Sequence, residues 1–126
     1  MLRSDQLPDF VFVADDGAET RIALSLAAAR IRSIGDHLAA KVAAGRVIGL
    51  MLPTGPALVV TWLACLHAGL RPLVMQYPTR KQSRTYWSDS VRNTIAVTAL
   101  AAVVADDYSC SLGLAELIDT IPESEL

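Results

Sequence analysis

Residue types that usually announce a site are scarce in this chain. Two cysteines, Cys65 and Cys110, are too few and too isolated in 126 residues for a disulfide framework or a zinc centre. Cys65 stands in an apolar stretch and reads as a reduced core residue. No Ser-His-Asp or Cys-His constellation can be assembled around His37 or His67, so hydrolase chemistry has no footing. No catalytic residue and no metal ligand is expected. An excess of one charge is also missing: the formal net charge is −2, which leaves no basic surface for nucleic acid or an anionic membrane. The opening, MLRSDQLPDF, carries Arg3, Asp5 and Asp9 without an apolar core segment, unlike a secretory signal. A long uncharged stretch in the middle is broken by Gly49, Pro53, Gly55 and Pro56 before about 20 apolar residues accumulate, which argues against a membrane span. A cytoplasmic setting is the expectation. Repeats, low-complexity tracts and linkers are likewise missing.

What the chain does have is apolar residues. They make up 52% against 19% charged, with mean hydropathy +0.38, on the apolar side for a soluble domain. Either the chain is mostly core, or part of its apolar surface is covered by another chain or by more of its own.

The organising stretch is residues 47–78, VIGLMLPTGPALVVTWLACLHAGLRPLVMQYP. Two short apolar runs, 47–52 and 73–77, have strand length, and the run between them, 55–68, has helix length. The punctuation agrees: Thr54 can N-cap the helix, Pro56 suits its first turn, Gly69 suits a left-handed C-terminal residue and Pro72 blocks continuation. Strand, helix, strand of this size predicts a parallel pair with a right-handed crossover, covered on both faces. The middle helix is apolar nearly all round, so burial on more than one side is expected.

The flanks extend the layers. Apolar runs on either side of Asp15-Asp16-Gly17 predict a hairpin over 10–24. A helix over 26–44 follows from Ala27, Ile31, Ile34, Leu38 and Val42 at three- and four-residue steps, with Ser25 as N-cap and Gly45 closing it. His37 falls on its polar side, and Gly35 marks a point of close packing, since glycine there costs about 1 kcal/mol relative to alanine. Residues 80–98 read as helical, with room for a break near Ser88-Asp89-Ser90, and 100–105 as a strand. The tail, 108–126, carries a short helical stretch over 112–118 and no assigned order in its final PESEL. The fold class is a single α/β domain or subdomain, a layered parallel sheet with a mixed edge and helices on both faces.

Ligands of open α/β sheets lie at the carboxyl ends of the strands, which makes Thr54, Gly55, Gln76 and Tyr77 the pocket candidates. Each has a plainer account, Thr54 as a cap and Tyr77 as filling for an interface. A phosphate loop is excluded, because Gly55 is followed by Pro56 and Ala57 where G-x-x-x-x-G-K-[ST] demands lysine. His67 fits a helix C-terminus, where the dipole favours it.

The order VIGLMLPT, VTWLACLHAG, PLVMQYP and AAVVADD, after an amphipathic helix and a hairpin, resembles the beginning of the adenylate-forming (AMP-binding) acyl- and aryl-CoA synthetase superfamily over about residues 8–107. The turn Gly45-Arg46 departs from the Gly-Asp that many members carry there. The resemblance implies part of a large ATP-using domain, with ATP, Mg²⁺ and coenzyme A as cofactors of the whole enzyme and none for this segment. It also implies a two-step reaction, in which a carboxylate is adenylated and then passed to a thiol. No stretch here matches the family's Ser/Thr/Gly-rich loop ending in lysine, so no catalytic residue is carried over and the segment is expected to be inactive alone. Trp87, with Tyr86, becomes a candidate for lining an acyl pocket, against the plainer role of helix-core aromatics. Arg80, Lys81 and Arg84 become a candidate phosphate contact, against the plainer role of a solvated helix face. The expected partner is the remainder of a ligase chain or a second copy meeting the apolar surface. The alternatives are a freestanding, non-catalytic α/β interaction module and, more weakly, a small nucleotide-binding domain.

Overall fold

A computed structural model describes residues 9–126; the reading of residues 1–8 as free of a signal falls outside them. Strands β1 (Asp9–Val13) and β2 (Glu19–Ala23) pair antiparallel, as the Asp-Gly turn predicts, with Gly17 at φ +85° in the connection. Strand β2 runs straight into helix α1 (Leu24–Lys41), which therefore starts two residues earlier than the Ser25 cap implied. Ser25 lies inside the first turn, Ala23 takes the cap position, and no side chain bonds the free N–H groups there. Leu24, Ala28, Ile31, Ile34 and Leu38 form the buried stripe, while Ala27 is only partly covered. The helix ends at Val42; Gly45, at φ +84°, turns the chain afterwards and donates its N–H to the Gly69 carbonyl at 2.8 Å.

Strand β3 (Val47–Met51), helix α2 (Pro56–His67) and strand β4 (Arg71–Val74) form the expected parallel unit. Two details differ. The α2 cap is Gly55 rather than Thr54, because the helix begins at Pro56 and leaves Thr54 exposed in the turn. The second strand is 71–74 rather than 73–77, so Pro72 lies within it. That placement is physically consistent. The N–H groups of Arg71 and Met75 bond β3, at Arg46 O and Leu50 O, so alternation aims the Pro72 nitrogen at the free edge. A missing donor there costs no ladder bond and blunts the edge.

Helix α3 (Arg84–Thr98) is capped by Ser83, whose Oγ accepts the Tyr86 N–H at 3.1 Å. It starts later than expected and runs unbroken through Ser88–Ser90. Further along, Thr94 Oγ1 and Thr98 Oγ1 donate back to Ser90 O and Thr94 O of the same helix, at 3.0 and 2.7 Å. Strand β5 (Ala102–Ala105) follows. The tail departs most from expectation: helix α4 (Asp107–Ser111), a 3₁₀ turn (Leu114–Glu116) and strand β6 (Thr120–Pro122) replace a helix over 112–118, and a last 3₁₀ turn (Glu123–Glu125) orders PESEL. Strand β6 has three residues and one is Pro122, a pattern too short to show periodicity.

The four-stranded sheet has the order β4-β3-β5-β6 and is parallel throughout, so the mixed edge is not present in it. Side-chain alternation divides the interior. Ile48, Leu50, Ala102 and Val104 face α1 and α2, whereas Met51, Val103 and Ala105 face α3 and Leu114. Helices thus cover both faces. Two sides of α2 meet α1 and the sheet; the rest of its apolar surface is open, with Trp62 38% and Leu66 47% exposed.

Candidate functional site

Strand order places the site. The chain leaves β3 toward β4 on one side and crosses back to β5 on the other, so the connections diverge at the carboxyl ends of β3 and β5. Crevices of open α/β sheets form there. Asp106 follows β5 directly and collects most of the chemistry. Its Oδ2 accepts the Tyr77 hydroxyl at 2.6 Å and its Oδ1 accepts the Ser109 N–H at 3.0 Å, capping α4. Burial opposes the charged carboxylate, but the donations from Tyr77 and Ser109 outweigh it and hold the Asp106 pKa below the ordinary 3.8. Burial, reinforced by the bond to Asp106 and its charge, pushes the Tyr77 phenol up to about 12. The Tyr108 ring lies against Tyr77 with centroids 6.1 Å apart, and the Ser109 hydroxyl is fully buried without a partner.

The five predicted pocket residues do not form one site. Tyr77 goes to Asp106, and Thr54 and Gly55 stay in the β3–α2 turn. Gln76 and Trp87 meet instead in a groove of about 280 Å³ between β4 and α3. Its floor is Met51, Leu73, Met75, Trp87 and Val91; Gln82, Ser90 and Thr94 join Gln76 at the rim. Trp87 is 5% exposed, and its Nε1–H is buried without a hydrogen-bond partner. Sequence reasoning did not single out Asp106, Tyr108 or Ser109. A usable signal was present, since Asp after a strand and three residues before Ser109 is an N-cap pattern.

The basic cluster also divides. Arg80 and Lys81 are exposed in the turn before α3, while Arg84 Nη2 donates to Leu112 O at 2.9 Å and so ties α3 to the tail. His67 Nε2 stands 3.6 Å from Asp36 Oδ1 where α2 crosses α1, and His37 is exposed. Among the described residues no group of His, Cys, Asp and Glu is arranged to hold a metal, and no helix is long and apolar enough to cross a membrane.

No protein-family model and no curated protein matches the sequence. Solved structures do. A fatty acyl-adenylate ligase, from a study of the E. coli and L. pneumophila enzymes, superposes with a TM-score of 0.73 at 20% identity, over 84% of this chain and 20% of its own. The o-succinylbenzoate coenzyme A synthetase of Bacillus subtilis, in complex with ATP and magnesium ion, gives 0.67 at 16% identity over 84% of this chain and 27% of its own. An acyl-CoA synthetase of Brucella canis gives 0.62 at 24% identity over 89% and 20%. The chain therefore spans about a fifth to a quarter of the structures it matches, and its fold is that of the N-terminal portion of the adenylate-forming ligases.

Proposed function

We propose that this chain is the N-terminal segment of a ligase that adenylates an acyl or aryl carboxylic acid with ATP and passes it to a thiol such as coenzyme A. The observation that carries this reading is the match of 84–89% of the chain to a fatty acyl-adenylate ligase and an acyl-CoA synthetase. The motifs behind the sequence resemblance fall on corresponding elements: VTWLACLHAG along α2 and its C-terminal turn, PLVMQYP from β4 into the turn beyond.

The residues present do not fit a nucleoside triphosphate or magnesium. The turn before α2 has Pro56, without an N–H, at the first helical position and no lysine following, and no carboxylate group is arranged for a cation among the described residues. In this reading the segment has no activity of its own, and its partner is the remainder of the ligase, in the cytoplasm, which covers Trp62 and Leu66. Carboxylate-dependent ATP–pyrophosphate exchange tests this: none is expected from the chain alone, and exchange is expected from a reading frame that continues into a Gly-rich loop ending in lysine. Robust exchange by this chain alone overturns the inactivity, and a frame without such a loop overturns the ligase reading.

The open apolar side of α2 also favours a second reading, a freestanding interaction module that pairs with a partner or with itself. Light scattering separates the two: a stoichiometric dimer or complex in the absence of any ligase remainder supports the module, and a monomer that binds nothing removes it.

A further inference from the structure

We infer that the free edge of β1 is a self-association site, where a second copy of this chain adds its own β1 antiparallel about a two-fold axis at Val11. The hairpin ladder settles which backbone groups are available. Ala14 N–H donates to Ala18 O at 2.8 Å beside the turn, and Phe12 and Phe10 occupy the alternate positions that follow, opposite Thr20 and Ile22. Their N–H and C=O groups therefore face β2, and those of Asp9, Val11 and Val13 face outward, unpaired among the described residues. The other sheet edges are blunted. Pro72 sits on the edge of β4, β6 has three residues and ends on Pro122, and β2 carries Glu19 and Arg21 before running into α1. Strand β1, DFVFV, has no proline, lysine or bulge, and Val11 and Val13 are 42% and 67% exposed. Such an edge is a template for another strand, and a hairpin of two strands is marginal by itself. The residues of β1 fit its own copy. Centred on Val11, antiparallel pairing sets outward-facing residues against outward-facing residues, Val11 on Val11 and Asp9 on Val13 of the second copy, while Phe10 meets Phe12. A shift of two residues either way leaves part of the strand unpaired. No like charges oppose each other, and Asp9 keeps its ion pair with Arg21 of its own chain at 3.3 Å. The product is a four-stranded sheet bounded by the two charged β2 edges, so association closes at a dimer. This interface is separate from the open side of α2 and does not rest on the ligase reading.

The test is sedimentation equilibrium of the full chain at micromolar to millimolar concentrations, with two exposed-site variants. A monomer–dimer equilibrium is expected from the parent. Val11→Lys places two like charges opposite each other on the axis and should weaken the dimer by about tenfold. Leu66→Lys, on the open side of α2, should leave it unchanged. Oxidative cross-linking then reads the register, in a Cys110→Ser background that leaves only the buried Cys65. Residue 11 and its copy would have Cα atoms about 5.5 Å apart, within the disulfide range of about 4.4–6.8 Å, so Val11→Cys should trap a covalent dimer. Residue 13 and its copy would be about 14 Å apart, so Val13→Cys should not. A parent that stays monomeric, a dimer that survives Val11→Lys, a dimer lost in Leu66→Lys, or equal trapping by Val11→Cys and Val13→Cys overturns the inference.

Discussion

Gly35→Ala isolates the crossing of α1 and α2. In helical terms the change is favourable, because alanine exceeds glycine by about 1 kcal/mol in a helix interior. Packing opposes it. A Cβ at residue 35 would lie 2.8 Å from His67 Cδ2 and 2.9 Å from the Ala64 carbonyl oxygen, inside the contact distance of about 3.5–4.0 Å. The histidine ring can swing away, but the carbonyl belongs to the α2 backbone, so relief requires the helices to separate. That separation opens the contact layer of Ile31, Ile34, Leu38, Val60, Ala64 and Cys65. Overpacking costs about 1–3 kcal/mol, and because the obstacle is backbone the upper part of that range, about 2–3 kcal/mol, applies; it exceeds the helical gain by about 1–2 kcal/mol. At about 4 °C per kcal/mol for a chain of this size, Tm should fall by about 4–8 °C. Calorimetry or thermal circular dichroism reads the change. Adding His67→Ala should recover only part of the loss, since the Ala64 oxygen remains. A Gly35→Ala protein with Tm equal to or above the parent would mean that the helices are not in contact there.

Tyr77→Phe removes one of two donors from Asp106 and should cost about 1 kcal/mol. Because the folded Asp106 pKa is depressed, its stabilisation is present above the ordinary 3.8 and is lost as pH falls through the folded value; the variant should show a shallower acid loss in urea melts between about pH 5 and 2. The Tyr77 phenol is raised from 10.0 to about 12, so its contribution holds below pH 10 and drains away between 10 and 12, which phenolate absorbance and stability should report together. Burial pushes the Cys65 thiol up to about 12; its modification by a thiol reagent at pH 8 should proceed only at the rate of unfolding, and prompt reaction in the native protein would contradict its burial. Leu50→Ala, at a fully buried position of the central strand, should cost about 2–5 kcal/mol in denaturant melts.

Much of the architecture was legible because it rests on local pattern. The stripe from Ile31 to Leu38, the apolar runs of β3 and β5, and Gly69 at φ +75° each signal their element within a few residues. Element boundaries slipped where a neighbour decided them. Ser25 lost its cap because β2 leaves no turn before α1, and Thr54 lost its cap to Gly55. The candidate site was less legible. Gln76 and Trp87 were recognised one by one, but their meeting in a groove depends on how α3 lies over β4. Tyr77 and Asp106, 29 residues apart, are joined across the sheet edge rather than along the chain.

The amino-acid order alone determined that this would be alternating strands and helices with apolar faces on both sides of a sheet. Periodicity, caps and breakers act over a few residues and need no partner. Only the tertiary structure decided that the sheet runs β4-β3-β5-β6, that the tail donates a three-residue strand, and which polar groups are satisfied or orphaned. Those outcomes come from burial and hydrogen bonding between segments distant in sequence. Neither leaves a trace in any single stretch of it.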